Sequence, residues 1–436
     1  MRQEESRAFA IDYLGRKDIM PITGYFGPYP HEYEGFPDYF TEEIYKLTAE
    51  AGINLMVYSC ADYATTPELV EKNLEYGEKY GVGVFVTDNS IVESKTPETL
   101  TASSVAKQMA NYKDRKAFCG MYVVDEPTAT YYCDADGSRL MAKHEKVANI
   151  LQKDLDTLCY LNLLPIVNME EDCRRNYERY VAEFCDTLQP KVVMWDMYPF
   201  DKKREGKMEV YFYNMDVIRK AAMERNLPFW AFIQAGSQWN DEWDRFDSVK
   251  PYYPNEAQFD WSVNTSLAFG AQGIQYFPLV QPYQFTMTKS GEGDFERNGI
   301  IGAMGNKNQW YYYAQTINKH IAAIDEVLMH AVNKGVIASG QQAVKDLEYT
   351  TCVIEAGSFE ELQSVTGDAL VGCFNYQGKT ALYVVNHSFE NAQQITLEFD
   401  GVQNMKLIQN AKKAQASGEK LTLDMAAGEG VLIVIQ

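Results

Sequence analysis

Phe118-Cys-Gly-Met-Tyr-Val-Val-Asp-Glu-Pro127 is the stretch on which the reading of this chain turns. An apolar run from Met121 to Val124 stops at two adjacent carboxylates and a proline. A short β-rich run of this kind fits a strand buried in a parallel sheet. Pro127 has no N–H to give to a ladder, so the strand ends there. Two acids at its tip have no place in a core, because an unpaired buried charge is costly. In parallel α/β barrels the C-terminal ends of the strands are where active sites are built. Side chains alternate along a strand. With Glu126 pointing into a barrel mouth, Tyr122 and Val124 point inward too and Asp125 is aimed sideways.

Outward from this stretch, strand-like and helix-like segments alternate, the mark of a parallel α/β fold. Strands are expected at 19–25, 54–59, 82–87, 120–125, 163–168, 192–197, 229–234 and 273–277. Amphipathic helices are expected at 41–50, 67–80, 138–157, 173–188, 208–225 and 255–269, with a closing helix over 309–333. Eight strands predict a closed (β/α)8 TIM barrel rather than an open sheet. Beyond Gly335 the period changes to alternation, in short runs at 369–376, 380–386, 394–400 and 430–435. The division expected is a barrel over 1–334 and a small antiparallel β-sandwich domain over 335–436.

At 436 residues the chain is long for one ordinary domain, and 46% apolar residues supply a large core. A net charge of −21 makes nucleic acid and anionic membranes poor partners. No run approaches the ~18 apolar residues of a membrane span. The start, Met1-Arg-Gln-Glu-Glu-Ser6, lacks the apolar core of a secretion signal. A cytoplasmic protein is therefore expected, or a secreted or surface-anchored one whose leader has been removed. The eight cysteines are scattered with no C-x-x-C pair, and read as small buried hydrophobes.

Cleaving a glycosidic bond needs an acid to protonate the leaving oxygen, and usually a second carboxylate to attack the sugar or activate water. Such groups should lie just past strand ends. Glu126 and Asp125 end the fourth strand and Asp196 the sixth; Asp88 ends the third, and Glu170, Glu171 and Asp172 follow the fifth. Each has a structural explanation as well, since acids cap helices and organise turns. Aromatic residues gather at the same ends: Tyr25 and Phe26, Tyr58, Trp195 and Tyr198, Trp239 and Trp243, then Tyr276, Phe277 and Tyr283. They suit the flat apolar faces of sugars, and the amides of Asn89, Asn168, Gln234 and Gln238 suit sugar hydroxyls. No G-x-S-x-G elbow, phosphate loop, H-E-x-x-H pair or dinucleotide fingerprint is present, so no metal or other cofactor is expected.

These residues resemble a glycoside hydrolase of the clan A type, near the retaining families 5 and 42. The resemblance rests on Tyr122-Val-Val-Asp-Glu-Pro127, Gln258-Phe-Asp-Trp261, Ser266-Leu-Ala-Phe-Gly-Ala-Gln-Gly-Ile-Gln-Tyr-Phe277, Asn298-Gly-Ile-Ile-Gly302 and Trp310-Tyr-Tyr-Tyr-Ala-Gln-Thr-Ile-Asn-Lys319. It implies hydrolysis of a neutral oligo- or polysaccharide, with Glu126 as general acid/base. In those families Asn usually precedes that Glu, where this chain has Asp125, and a nucleophilic Glu ends the seventh strand, where this chain has Gln234. Asp196 is one substitute for that group, and Glu242 another. A further reading takes Asp125-Glu126 as similar to the adjacent acids of family 20 hexosaminidases, which use the substrate's own acetamido group. Gln234 also fits a Glu replaced in an inactivated form, or a carbohydrate-binding barrel without catalysis.

Overall fold

A computed structural model describes residues 19–30, 37–57, 62–127, 142–200, 207–236, 252–281 and 298–436. Eight parallel strands close a barrel in sequence order: β1 (Ile22–Tyr25), β2 (Leu55–Val57), β3 (Gly83–Thr87), β4 (Phe118–Asp125), β5 (Cys159–Leu163), β6 (Val193–Trp195), β7 (Phe229–Gln234) and β8 (Ile274–Phe277). The ring shuts where β8 pairs with β1, Thr23 facing Gln275. Around it stand α1 (Glu42–Glu50), α2 (Pro67–Tyr80), α3 (Asn89–Val92), α4 (Ala102–Met109), α5 (Ala142–Asn149), α6 (Glu171–Leu188), α7 (Lys207–Glu224), α8 (Glu256–Ala268) and α9 (Gln309–His330). None of the described helices is long and apolar enough to cross a membrane.

Alternation sorts each strand into two cores. Inward residues fill the barrel: Tyr25, Leu55, Val57, Phe85, Leu158, Tyr160, Val192, Met194, Trp230 and Phe232. Outward residues such as Met121, Val123, Leu161, Trp195 and Ile233 pack beneath the helices. Gly120 faces inward opposite Phe85. A Cβ there would stand 2.3 Å from the Leu158 carbonyl oxygen and 2.9 Å from the Phe85 ring, so only glycine lets that ring lie against the strand.

Two expectations are corrected. The fifth strand runs over Cys159–Leu163, not 163–168. Pro165 cannot donate to a ladder, and the residues after Leu163 form a loop that leads into α6. The second correction concerns β4. Its pairing with β5 skips a residue, from Tyr122 opposite Tyr160 to Val124 opposite Leu161 and Asp125 opposite Asn162. The bulge at Val123 resets alternation, so Val124 turns out towards the helices and Asp125 turns in.

After α9 the chain passes directly into a seven-stranded antiparallel sheet: β9 (Ala331–Ser339), β10 (Leu362–Thr366), β11 (Ala369–Tyr376), β12 (Lys379–Asn386), β13 (Gln393–Gln409), β14 (Lys412–Met425) and β15 (Gly430–Ile435), with one short helix, α10 (Gln341–Asp346). One face carries its own core, including Ile337, Val371, Leu382, Val384 and Ile433. The other face, with Leu370, Phe374, Tyr383, Val385 and Leu432, joins the core of the barrel helices. Asn264 of α8 donates to the Gly428 carbonyl (2.8 Å) and accepts from the Tyr383 hydroxyl (2.7 Å). Phe374 is buried in this seam.

Candidate active site

The end of β4 departs from regular strand geometry. The bulge turns Asp125 inward, and Glu126 follows with φ +45°, left-handed backbone that costs a non-glycine residue about 1–2 kcal/mol. Its N–H is held at 3.0 Å by the Asn162 carbonyl oxygen. Phe26, at the end of β1, is a second bulky residue with positive φ (+57°). Strain of this kind persists only where surrounding contacts enforce it.

A chain of polar contacts crosses four strands here. The Tyr25 hydroxyl donates to Asp125 Oδ2 at 2.6 Å. Asn162 Nδ2 donates to Asp125 Oδ1 at 2.9 Å and to Asp196 Oδ1 at 2.8 Å. The carboxyl groups of Asp196 and Glu126 are within hydrogen-bonding reach of each other. Tyr25, Asn162 and Asp196 are buried, while Glu126 is open to solvent on one side.

Among the described residues, no cation acts on the protonation of these acids. Burial is the first cause that raises all three, and the second for Glu126 is the charge of Asp125. Although the Glu126 residue is exposed, its carboxyl end is crowded by protein and is pushed up to about 7. Asp196 lies well above the usual carboxylate range through burial, then through repulsion from Glu126 and Asp125. Burial and mutual repulsion raise both groups, so the pair as a whole holds a proton more firmly than an ordinary carboxylate would. Two carboxyl groups this close cannot both ionise freely, and they titrate as one unit.

Aromatic rings wall the mouth. Phe277 lies 5.4 Å from Phe26, 5.9 Å from Tyr25 and 5.4 Å from Tyr198. Tyr122 stacks on Tyr160 at 5.7 Å. Phe26, Tyr122, Tyr198 and Phe277 are only half-buried. The charges of Asp196, Glu126 and Asp125 all act on the Tyr198 hydroxyl, which places that ring beside the acids.

The residues expected at the site from sequence separate into two groups. Glu126, Asp125, Asp196, Tyr25 and Tyr198 come together. Trp195 instead faces outward, buried, with its ring 5.8 Å from Tyr211 of α7. Tyr276 also faces outward, stacked 5.4 Å from Phe259 and bonded through its hydroxyl to Asn318 at 2.6 Å. Gln234 does end β7 facing inward, but its amide is consumed by backbone. Nε2 donates to the carbonyls of Phe200 (2.7 Å) and Gly236 (2.9 Å), and Oε1 accepts the Phe200 N–H (3.0 Å). A carboxylate in its place would face two carbonyl oxygens with nothing to donate.

Asn168 is exposed in the loop after β5, where its Oδ1 accepts the Glu170 N–H at 2.9 Å ahead of α6. Glu171 and Asp172 occupy the first turn of α6, which suits the helix dipole. Asn89 stands exposed at the start of α3, its N–H taken by Asp62. Asp88 caps that helix through Ser90 and accepts from the buried Tyr112 hydroxyl at 2.9 Å. Tyr58, Gln238, Trp239, Glu242, Trp243 and Tyr283 lie outside the described residues. Among the described residues no group of three or more His, Cys, Asp or Glu is arranged to hold a metal.

Asn162 is the residue that sequence reasoning missed. Misplacing the fifth strand hid it. In the correct frame, Leu158, Tyr160 and Asn162 share one face, and an amide at the upper end of an inward face is the available signal.

No family model and no curated protein matches the chain. Solved structures do. The chain is similar to a β-galactosidase from Bacillus circulans sp. alkalophilus, with a TM-score of 0.59 and 9% identity over 96% of this chain and 99% of that one. It is also similar to a catalytic mutant of Gan42B, a GH42 β-galactosidase from G. stearothermophilus, with a TM-score of 0.55 and 8% identity over 96% and 98% of the two chains. At such identities the likeness concerns the fold. This chain has, across nearly its whole length, the fold of these clan A-type enzymes: a (β/α)8 barrel followed by an antiparallel β domain.

Proposed function

We propose that this protein hydrolyses the glycosidic bond of a neutral sugar, with Glu126 as general acid/base and Asp196 as its proton-sharing partner. The observation that carries this reading is the meeting of the two carboxyl groups at the mouth of the barrel. The fold shared with two β-galactosidases and the half-buried rings around the acids support it. A group pushed up to about 7 is poised to give and take a proton near neutral pH.

In this mechanism the proton held by the pair passes through Glu126 to the glycosidic oxygen as the C1–O bond breaks. Water then adds to C1, and its proton returns to the emptied pair. Carboxyl groups ~5–5.5 Å apart serve retaining enzymes and ~6.5–9.5 Å apart inverting ones. The anomer first released, read by NMR, then distinguishes direct attack by Asp196 (retention) from attack by water (inversion). The substrate-assisted alternative has less support, since both Asp125 oxygens already accept hydrogen bonds.

Aryl-β-galactosides head the substrate panel, followed by other neutral aryl-glycosides. Turnover that Glu126→Gln abolishes is the expected result. Sugar binding by calorimetry without turnover on any of them would favour the carbohydrate-binding reading.

A further inference from the structure

One side chain stands at the centre of the acid cluster. Asn162 touches all three acids. Its side-chain nitrogen gives one hydrogen to Asp125 (2.9 Å) and the other to Asp196 (2.8 Å), and its backbone carbonyl oxygen takes the N–H of Glu126 (3.0 Å). It is 1% exposed, so solvent cannot replace these contacts. Its Oδ1 has no hydrogen-bond partner, so the donors of this amide do the work.

We infer that Asn162 is the positioning residue of this site, tying Asp125, Asp196 and the strained backbone of Glu126 into one unit. This rests on the proposed reading of the acids as a working pair, and adds to it what holds the pair in register. The β4 bulge supports the inference independently, because it sets Asp125 opposite Asn162 in the β4–β5 ladder. An unbulged strand would send Asp125 to the outer face and leave half the amide unused.

The chemical consequence has a definite sign. An N–H donated to a carboxyl group favours its charged form. Asn162 therefore opposes the rise that burial forces on Asp125 and Asp196. Among the described residues, the titratable groups facing this cluster are Tyr25 from β1, Tyr122, Asp125 and Glu126 from β4, Tyr160 from β5, and Asp196 and Tyr198 from the end of β6. All are acids, so no neighbouring cation among them substitutes for the lost donors.

The test uses the full chain with Asn162→Ala and the isosteric Asn162→Asp, each first checked by melting temperature. Carboxyl ¹³C shifts of Asp- and Glu-labelled protein are followed against pH, and kcat and KM are measured alongside. Both variants should titrate the Asp125–Glu126–Asp196 set at higher pH than the native protein. Asn162→Asp should move it further, since it adds a carboxyl group where a donor stood. The optimum of kcat should move upward with it, with kcat down about a hundredfold, the scale of a 1 Å misplacement, and KM little changed. Titration curves that coincide with the native ones in a folded variant would overturn the inference. If Asn162→Ala fails to fold, the Asp variant decides. Native protein without turnover on any glycoside would sink the functional reading alone, because the carboxyl titration is read without substrate.

Discussion

The ends of β4 and β7 occupy comparable places, each a strand tip with an inward-facing polar side chain at the barrel mouth. They are built in opposite ways. At β7, Gln234 is buried, and its amide makes three bonds to Phe200 and Gly236 backbone. At β4, a bulge and a left-handed Glu126 hold acids whose burial is only partly offset by neighbouring donors. A satisfied side chain anchors structure, whereas one kept short of its preferred protonation state can exchange a proton. On the proposed reading, the proton-exchanging groups lie where β4, β5 and β6 meet, and the tip of β7 serves structure.

The largest effect should come from the β4 side. Glu126→Gln should lower kcat by about 10²–10⁴-fold, the span of general acid–base catalysis, with an unchanged melting temperature near pH 5. On the β7 side, Gln234→Glu restores the residue type of the clan A nucleophile. Here it should gain no turnover and cost about 1–3 kcal/mol, the penalty for leaving buried partners unpaired, as measured by urea unfolding. A gain in kcat would break the comparison outright. Asp88→Ala sharpens it from a third strand end. Loss of the cap on α3 should cost about 1–2 kcal/mol, with kcat unaffected.

A smaller effect follows from proton linkage. Glu126 titrates higher in the folded chain, at about 7, than its ordinary 4.5, so the folded state binds more protons between these values. Its contribution to stability is present below about 4.5 and is lost as pH rises through about 7. Asp196 is raised too and acts in the same direction. Melting curves from pH 4 to 8 should show Asp196→Asn and Glu126→Gln gaining on the native protein as pH rises, with no gain at the acid end.

Much of this was legible in the sequence. Eight strand signals gave the barrel, and the acids before Pro127 and Asp196 do lie together past the ends of their strands. Three features were not. The Val123 bulge leaves no mark in a run of β-branched residues, so strict alternation aimed Asp125 the wrong way. An apolar continuation, Leu164-Pro-Ile166, drew the fifth strand several residues too late and hid Asn162. Trp195 and Tyr276 looked like sugar platforms because composition alone does not say which face of a strand a ring occupies. The end of α9 shows the same limit on a larger scale: residues 331–333 carry on a helical pattern, but pairing with β11 takes them into β9.

The central claim is that Glu126 and Asp196 act as one proton-sharing unit. Its most direct test is a double-mutant cycle in kcat/KM at pH 7, with Glu126→Gln, Asp196→Asn and the two combined. Groups that work as a unit are strongly non-additive. The double variant should therefore be no slower than the worse single variant. Losses that multiply would show two independent groups and contradict the account.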